Sequence, residues 1–424
     1  MKTTGLSELG RRLGPPPISW LMELALTRPQ LISLAAGFTD TETLPADGCR
    51  RMMNRLLLSR VQASQALQYG ATQGDRVLRE LTAADIAVLD GAARPHKTHS
   101  PDRILITNGS QQLLYLVVEA LCDPGDIVLV EDPTYFVFLG ILAARGVNSR
   151  GIRLNHDGVD IAHLEEVMAA LKRARQLHRV KLVYLVTYYQ NPTGVTTSFE
   201  KKVQVLEVLR RYEKAAGHPI YLLEDAAYRE LRFRGSDIKS ALAVEQHSDR
   251  VIYAGTYSKP YASGIRVGFG ILPPSLFKPV LWLKGNHDFG TANLLQKLLA
   301  LAIVTGEYEE QLGRIQARYA EKAALMRRAI QKHFPGAVEV WEPAGGLYYW
   351  VRLPRRVNTG VRSKVFRLAL AKDVLYVPGE FCYCDDPTRP KPSHEMRISF
   401  GNATERDIRE GIARLGSVLH QVIS

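Results

Sequence analysis

The chain has 424 residues, of which 46% are hydrophobic and 23% are charged, a composition typical of a soluble globular protein with two or three domain-sized units. No apolar run approaches the roughly 20 residues that span a bilayer, and the N-terminal segment lacks the apolar core of an export signal, so we expect a cytoplasmic protein without a membrane partner. The net charge of +12 comes from scattered basic residues and the four cysteines lack zinc-site spacing, so we expect no nucleic-acid partner and no metal site.

Strands and helices alternate from about residue 103 in a pattern that predicts an α/β fold. Short continuous apolar runs, which are typical of buried strands, are separated by segments with the apolar spacing of helices. This alternation predicts a mostly parallel sheet sandwiched by helices. The predicted strands span residues 104–106, 127–130, 182–186, 220–223, 251–254 and 267–272, and the predicted helices include 110–122 and 160–174.

The last third of the chain has a different organisation. A mostly helical stretch over 294–334, with a break near Gly306, precedes several short strands and a final helix. This order predicts a smaller α+β domain. An extended piece at 31–37 is too short to form a domain of its own. We therefore divide the chain into an N-terminal segment that joins the small domain (1–50), a large domain (51–300) and the small domain (301–424).

Polar and aromatic residues follow each strand of the predicted large domain. Each has a structural explanation when taken alone, such as a turn, a helix cap or a packed ring. Together they follow consecutive strands, and in such sheets ligands collect outside the carboxyl ends of the strands. We therefore expect one binding site that contains Ser110, Gln111, Tyr135, Asn191, Asp225, Tyr228, Ser258, Lys259 and Arg266.

The residue types in this set indicate the ligand. Lys259 lies between two apolar runs, where a low dielectric disfavours the ammonium form and leaves a nucleophilic amine. Arg266 and the helix N-terminus at Ser110 suit an anion such as phosphate. Asp225 adds a buried carboxylate and Tyr135 an aromatic ring for stacking. Pyridoxal 5′-phosphate fits this set, because it has a phosphate, a flat ring with a basic nitrogen, and an aldehyde.

Four motifs carry a resemblance to a known family: Asn191-Pro-Thr-Gly194, Asp225-Ala-Ala-Tyr228, Ser258-Lys259 followed by Gly264-Ile-Arg266, and Arg397-Ile-Ser-Phe. From about Ser19 to its C-terminus the chain resembles the class I/II aminotransferases, which are fold type I pyridoxal-phosphate enzymes. It is most similar to the branch of aminoadipate and kynurenine aminotransferases. The resemblance implies a fold type I large domain with a smaller α+β domain, and the transfer of an amino group between an α-amino acid and a 2-oxo acid.

The resemblance also implies roles for the site residues. It implies that Lys259 forms a Schiff base with the cofactor and shuttles the proton, with Asp225 and Tyr228 as further catalytic residues. The substrate is expected to bind Gly37, Asn191 and Arg397, where Arg397 clamps the α-carboxylate through two parallel bonds. The implied cofactor-binding residues are Tyr69, Ser110, Gln111, Tyr135, Asn191, Asp225, Tyr228, Ser258, Lys259 and Arg266.

The expectation about the oligomeric state rests on Tyr69. It lies in the sequence Leu-Gln-Tyr69-Gly and matches a tyrosine that, in this family, reaches the phosphate from the partner subunit. The resemblance therefore implies a homodimer with shared active sites.

A few positions depart from the pattern of the family. Phe38 alters the entrance loop, Ser263 replaces a common proline, and Met22 stands where relatives often carry an arginine. An arginine at that place binds the distal carboxylate of an acidic substrate. Because methionine offers no donor, we expect a preference for apolar, aromatic or other non-acidic amino acids, unless Arg11 or Arg12 supplies the missing charge.

Two other functions are compatible with these residues. The same cofactor supports elimination, replacement, decarboxylation or oxidation, which the cofactor-holding residues do not distinguish. The aminotransferase-like part of MocR regulators also resembles this chain, and there it follows a winged helix-turn-helix domain. At most about 30 residues precede the matching region here, so we do not expect a regulator of this kind.

Overall fold

The computed structural model describes residues 5–12, 14, 17–92 and 97–423. The helices are α1 (Glu8–Arg12), α2 (Pro17–Thr27), α3 (Ala46–Leu56), α4 (Arg60–Leu67), α5 (Arg76–Leu89), α6 (Gly109–Leu121), α7 (Phe136–Arg145), α8 (Ile161–Arg173), α9 (Phe199–Ala216), α10 (Pro274–Asp288), α11 (Asn293–Val304), α12 (Glu307–His333), α13 (Lys364–Ala371) and α14 (Glu405–Ile423). The strands are β1 (Ile32–Ser33), β2 (Ile104–Asn108), β3 (Ile127–Asp132), β4 (Asn148–Asn155), β5 (Gly158–Val159), β6 (Val180–Val186), β7 (Tyr221–Asp225), β8 (Val251–Thr256), β9 (Val267–Ile271), β10 (Glu339–Trp341), β11 (Tyr348–Arg352), β12 (Val374–Leu375), β13 (Val377–Pro378) and β14 (Glu395–Ser399).

Eight strands form one large sheet in the order β2-β9-β8-β7-β6-β3-β4-β5. Neighbours run parallel from β8 through β7, β6 and β3 to β4, which confirms the predicted mostly parallel sheet. Strand β9 instead runs antiparallel to both β8 and β2. The connection between β8 and β9 contains only a short 3-10 turn, whereas a parallel return needs a crossover of a dozen or more residues.

The central strands of this sheet are buried on both faces. Every residue of β7 and of β8 is buried, although successive side chains of a strand point to opposite faces. Helices therefore cover both faces, and the apolar side chains of α6, among them Leu113, Leu114 and Val117, form part of that cover. This arrangement leaves the carboxyl ends of the parallel strands as the place where polar residues gather.

The C-terminal part builds a second, four-stranded antiparallel sheet in the order β10-β11-β14-β13. Gly306, with a φ of +80°, separates α11 from α12 at the predicted break. The extended piece predicted at 31–37 is a strand only at Ile32–Ser33, where Ile32 pairs in parallel with Val374. For the folded chain we propose the division into an N-terminal segment, a large domain and a small domain given above.

No helix among the described residues combines the length and the apolar character that a membrane crossing requires.

Candidate active site

A cavity of about 350 Å³ opens at the carboxyl ends of the central strands. It also receives residues from the N-terminal segment and from the second sheet, such as Phe38 and Tyr348. Every predicted site residue except Tyr69 lines this cavity: Gly37, Ser110, Gln111, Tyr135, Asn191, Asp225, Tyr228, Ser258, Lys259, Arg266 and Arg397. The structure therefore brings the residues that follow consecutive strands together around one cavity.

Lys259 follows strand β8 and points its amine into the cavity. Its Nζ donates a hydrogen bond to the carbonyl oxygen of Gly37 at 2.8 Å. Burial, together with the positive charges of Arg397 and Arg266, lowers the pKa of Lys259 to about 8. A larger fraction of the amine is therefore neutral near physiological pH than in an exposed lysine, which makes it more nucleophilic.

An anion site lies at the N-terminus of α6. Ser110 and Gln111 belong to its first turn, whose backbone N–H groups have no partner within the helix. Arg266 faces the same corner and donates from Nη1 to Ser258 Oγ at 3.3 Å. Gly109 has a φ of +68°, and a Cβ there would lie 2.5 Å from Arg266 Nη2, so only glycine allows the guanidinium this close to the helix. This donor set suits a phosphate group.

Asp225 ends strand β7 at the floor of the cavity. Its Oδ2 accepts from Tyr184 Oη at 2.8 Å, and its Oδ1 accepts from the backbone N–H of Ala227 at 3.1 Å. Burial raises the pKa of Asp225 to about 6, and among the described residues no basic side chain forms an ion pair with it. A buried carboxylate without a cation suits a ligand that brings a protonated ring nitrogen.

Arg397, on strand β14, connects the second sheet to the cavity. Its Nη1 donates to Asn191 Oδ1 at 2.7 Å and its Nη2 to the carbonyl oxygen of Ala35 at 2.6 Å. The guanidinium lies over the ring of Tyr348, with Cζ 4.3 Å from the ring centroid. Its Nε is buried and has no hydrogen-bond partner among the residues that the structure describes. An orphaned charged donor at a cavity wall suits a carboxylate of a bound substrate.

Tyr228 lies between Asn191 and Tyr348. Asn191 Nδ2 donates to Tyr228 Oη at 3.4 Å, and Tyr228 Oη lies 3.2 Å from Tyr348 Oη. Tyr135 precedes α7 at the same wall, where burial raises the pKa of its phenol. Two phenols and an amide therefore line the same cavity as Lys259 and Arg397.

Sequence reasoning missed a buried pair behind this wall. Glu131 Oε2 accepts from the backbone N–H of Val186 at 2.9 Å and from Gln190 Nε2 at 2.7 Å. Gln190 Nε2 also donates to the carbonyl oxygen of Pro133 at 3.0 Å, and Gln190 Oε1 accepts from the backbone N–H of Thr193 at 3.2 Å. Burial raises the pKa of Glu131 to about 8. The pair joins the loop before Tyr135 to the turn that contains Asn191.

Tyr348, Phe136 and Tyr184 were also missed. Tyr348 and Phe136 line the cavity, and Tyr184 donates a hydrogen bond to Asp225. For the two tyrosines, the sequence signal is a tyrosine inside an apolar run: such a phenol is expected to be buried, and a buried phenol needs a hydrogen-bond partner.

Tyr69 lies outside this cavity. Its side chain is 81% exposed and packs edge-on against Phe289, with ring centroids 5.3 Å apart. No described residue of the cavity wall forms a hydrogen bond or a ring contact with it. Its role at the site of a partner subunit stays a prediction.

The positions expected to determine side-chain preference lie near the mouth. Phe38 lines the cavity and is 48% exposed. Met22 lies in α2, but its side chain falls outside the part of the chain that the structure describes. Arg11 donates to the carbonyl oxygen of Leu6, and Arg12 pairs with Glu8, so neither guanidinium lines the cavity.

The donor set as a whole fits pyridoxal 5′-phosphate. The helix N-terminus with Arg266 matches its phosphate, Asp225 its ring nitrogen, Tyr228 its phenolic oxygen and Lys259 its aldehyde. The orphaned Nε of Arg397 is left for a substrate carboxylate.

Known proteins are similar to this chain in both sequence and fold. A family model described as aminotransferase class I and II matches residues 29–415. The 2-aminoadipate transaminase of Thermus thermophilus is 31% identical over the full length of both chains. The aromatic-amino-acid aminotransferase 1 of Thermococcus litoralis is 31% identical over 92% of this chain and 88% of its own length. The crystal structure of the kynurenine aminotransferase of Pyrococcus horikoshii, a complex with PMP, has a TM-score of 0.89 at 31% identity, covering 99% of this chain and 98% of that one.

Proposed function

The chain belongs to the aminotransferase class I and II family, and we propose that its main amino donors are amino acids with apolar or aromatic side chains. It is a pyridoxal-phosphate-dependent aminotransferase, which moves an amino group between an α-amino acid and a 2-oxo acid. When bound, pyridoxal 5′-phosphate supplies a ring that withdraws electrons from the bond broken at the substrate α-carbon.

Each polar side chain of the cavity has a separate role in this reaction. Lys259 Nζ would hold the cofactor at its aldehyde carbon, and the same amine would move the proton at the substrate α-carbon. A pKa of about 8 suits a group that must both give and take a proton near neutral pH. With the cofactor bound, Asp225 would keep a proton on the ring nitrogen, and Tyr228 would donate to the phenolic oxygen. Arg397 orients the substrate by its α-carboxylate.

The proposed preference for apolar or aromatic donors rests on the charges of the cavity wall. Its described lining contains three cationic side chains, Lys259, Arg266 and Arg397, and each has a partner in the cofactor or in the substrate α-carboxylate. The wall then leaves no described cation for a second carboxylate, whose burial without a charged partner is costly. The remaining lining is largely apolar or aromatic and includes Ala36, Phe38, Phe136, Val137, Ala227 and Tyr348.

The experiment compares kcat/KM across amino donors in the wild type and in Met22→Arg. We expect aromatic and apolar donors to exceed glutamate and aminoadipate by tenfold or more in the wild type, about 1.4 kcal/mol of transition-state binding. Met22→Arg should raise kcat/KM for the acidic donors only. Leu26→Arg is the matched control, because Leu26 lies on the same helix with its side chain 79% exposed.

A wild-type enzyme that prefers glutamate or aminoadipate tenfold would contradict the proposal. So would an equal gain for acidic donors in Leu26→Arg, since that gain would come from the net charge of the helix rather than from position 22.

We also propose a homodimer with shared sites in the cytoplasm. Exposed apolar side chains support the dimer, because exposed apolar patches mark contact surfaces. Leu67, Tyr69 and Phe289 line one shallow cavity, and Leu58 and Val61 are exposed shortly before them in the sequence. The cysteines, all of them free, are consistent with a reducing compartment.

A further inference from the structure

Tyr348 is a buried tyrosine of the cavity that has no role in the function described above. It begins strand β11, where it pairs with Ser399 of β14, and only 2% of its surface is exposed. Its hydroxyl lies 3.2 Å from that of Tyr228, either of which can be the donor. Which of the two phenols donates decides where the proton of Tyr228 points.

The neighbours of Tyr228 determine which hydrogen bonds its hydroxyl accepts. A guanidinium has only donors, so the contact of Arg397 Nη1 with Asn191 at 2.7 Å requires the amide oxygen of Asn191 to face the arginine. The amide nitrogen of Asn191 then faces Tyr228 and donates to Oη at 3.4 Å. Tyr228 Oη therefore already accepts one hydrogen bond and has a single proton to give.

That proton has two possible acceptors in the loaded enzyme, Tyr348 Oη and the negatively charged phenolic oxygen of the cofactor. A charged oxygen is the stronger acceptor. We propose that Tyr348 is a positioning residue whose hydroxyl donates to Tyr228 and so directs the proton of Tyr228 to the phenolic oxygen of the bound cofactor. The proposal rests on the proposed function, in which Tyr228 contacts that oxygen.

The hydroxyl of Tyr348 is held where this bond requires it. The ring of Tyr348 lies against the guanidinium of Arg397 and meets the ring of Tyr228 edge-on, with centroids 5.8 Å apart. A Cβ at Gly37 would lie 2.5 Å from Tyr348 Oη, so the hydroxyl is in close contact with the N-terminal segment. In the described part of the chain, the hydrogen bond to Tyr228 is the one that this hydroxyl forms.

The effect on the cofactor follows from the polarisation of linked hydrogen bonds. Two donors on Tyr228 Oη make its own proton a stronger donor. That stabilises negative charge on the phenolic oxygen and weakens its attraction for the titrating proton of the lysine–cofactor chromophore. Tyr348 therefore lowers the pKa of the chromophore, and removal of its hydroxyl should raise that pKa.

The test is an absorbance titration of the holoenzyme with Tyr348→Phe, which keeps the ring beside Arg397 and removes only the hydroxyl. We expect the chromophore pKa to rise by about 0.3–0.7 unit, a fraction of the shift that a direct partner causes. Tyr349→Phe is the matched control. It removes a buried hydroxyl from the next residue of the same strand, where Tyr349 Oη donates to the carbonyl oxygen of Ala323 at 2.9 Å.

Tyr228→Phe separates this inference from the function on which it rests. It should raise the chromophore pKa by more than Tyr348→Phe, and the double variant should match Tyr228→Phe alone, because Tyr348 acts through Tyr228. No shift in Tyr348→Phe beside a clear shift in Tyr228→Phe would overturn the inference, as would an equal shift in Tyr349→Phe. No shift in Tyr228→Phe would overturn the proposed role of Tyr228 and the inference with it.

Discussion

Lys259 Nζ donates to the carbonyl oxygen of Gly37 at 2.8 Å, and this bond joins the loop after β8 to the N-terminal segment. A carbonyl oxygen favours the charged amine, whereas burial and the charges of Arg397 and Arg266 favour the neutral one. The second influence is the larger, because the pKa of Lys259 is lowered to about 8. The amine is therefore prepared to react with an aldehyde before the cofactor arrives.

This lowered pKa predicts how apoenzyme captures the cofactor. Only the neutral amine attacks the aldehyde, so the rate of capture should rise with pH and level off above about 8. Stopped-flow absorbance of apoenzyme mixed with pyridoxal 5′-phosphate measures this rate. A rate that keeps rising toward the ordinary lysine pKa, about 10.4, would show that the site does not lower it.

Asp225 predicts a pH dependence of stability in the apoenzyme. Its folded pKa of about 6 exceeds the ordinary aspartate pKa of 3.8, so the fold favours the protonated form and loses stability as pH rises through this interval. Asp225→Asn does not ionise. At pH 8 we expect the variant apoenzyme to be more stable than wild type by about 1–2 kcal/mol, with the difference shrinking as pH falls from 6 toward 4.

Urea unfolding of both apoenzymes at several pH values measures this difference. With cofactor bound the order should reverse, because the ring nitrogen pairs with the carboxylate and not with an amide. A wild-type apoenzyme that is the more stable protein at pH 8 would contradict the assignment of an unpaired buried carboxylate.

Gly37 predicts a steric interaction with Tyr348. The Cβ of Gly37→Ala would lie 2.5 Å from Tyr348 Oη, a distance at which the buried phenol must shift. We expect a loss of about 1–3 kcal/mol in the free energy of unfolding. Tyr348→Phe removes the atom that clashes, so the double variant should recover most of the loss relative to Tyr348→Phe alone.

Gly264→Ala is the control for this pair, because a Cβ at Gly264 would meet no described atom within 4 Å. Strictly additive losses in the double variant would mean that Gly37 is required for another reason than the hydroxyl of Tyr348.

The proposed dimer predicts complementation between two inactive chains. Lys259→Ala lacks the anchoring amine, and Tyr69→Ala lacks the group expected to reach the phosphate of the partner's site. A mixed dimer holds one site with both residues intact, so mixing the variants should restore up to about a quarter of wild-type activity under random exchange. Sedimentation should show a dimer at assay concentration, and a monomer or no restored activity would contradict shared sites.

The residues found from sequence share one property. Asp225 ends a parallel strand, while Asn191 and Lys259 each follow one, and the carboxyl ends of such strands meet at one edge of a sheet. The strands themselves were recognisable because burial on both faces requires continuous apolar runs.

The residues that were missed depend on contacts between distant parts of the chain. Tyr348 meets Tyr228 across 120 positions of sequence, after the second sheet has docked on the cavity. Glu131 and Gln190 lie 59 positions apart and meet behind the wall. Neither contact has a local sequence signal, because a buried polar group is recognised by its partner and its partner is set by tertiary packing.

The antiparallel course of β9 was missed for a related reason. Its apolar run is the same as that of a parallel strand, and direction depends on the short connection that contains Lys259 and Arg266. The same connection places both cations in the cavity, between β8 and β9.

Borohydride reduction of the holoenzyme, followed by peptide mapping, tests the central assignment most directly. Reduction fixes the cofactor to the nitrogen that holds it, and mass spectrometry identifies the lysine. We expect the modification on Lys259, with none in Lys259→Ala treated in the same way. Modification of a different lysine in the wild type would contradict the assignment of this cavity as the active site.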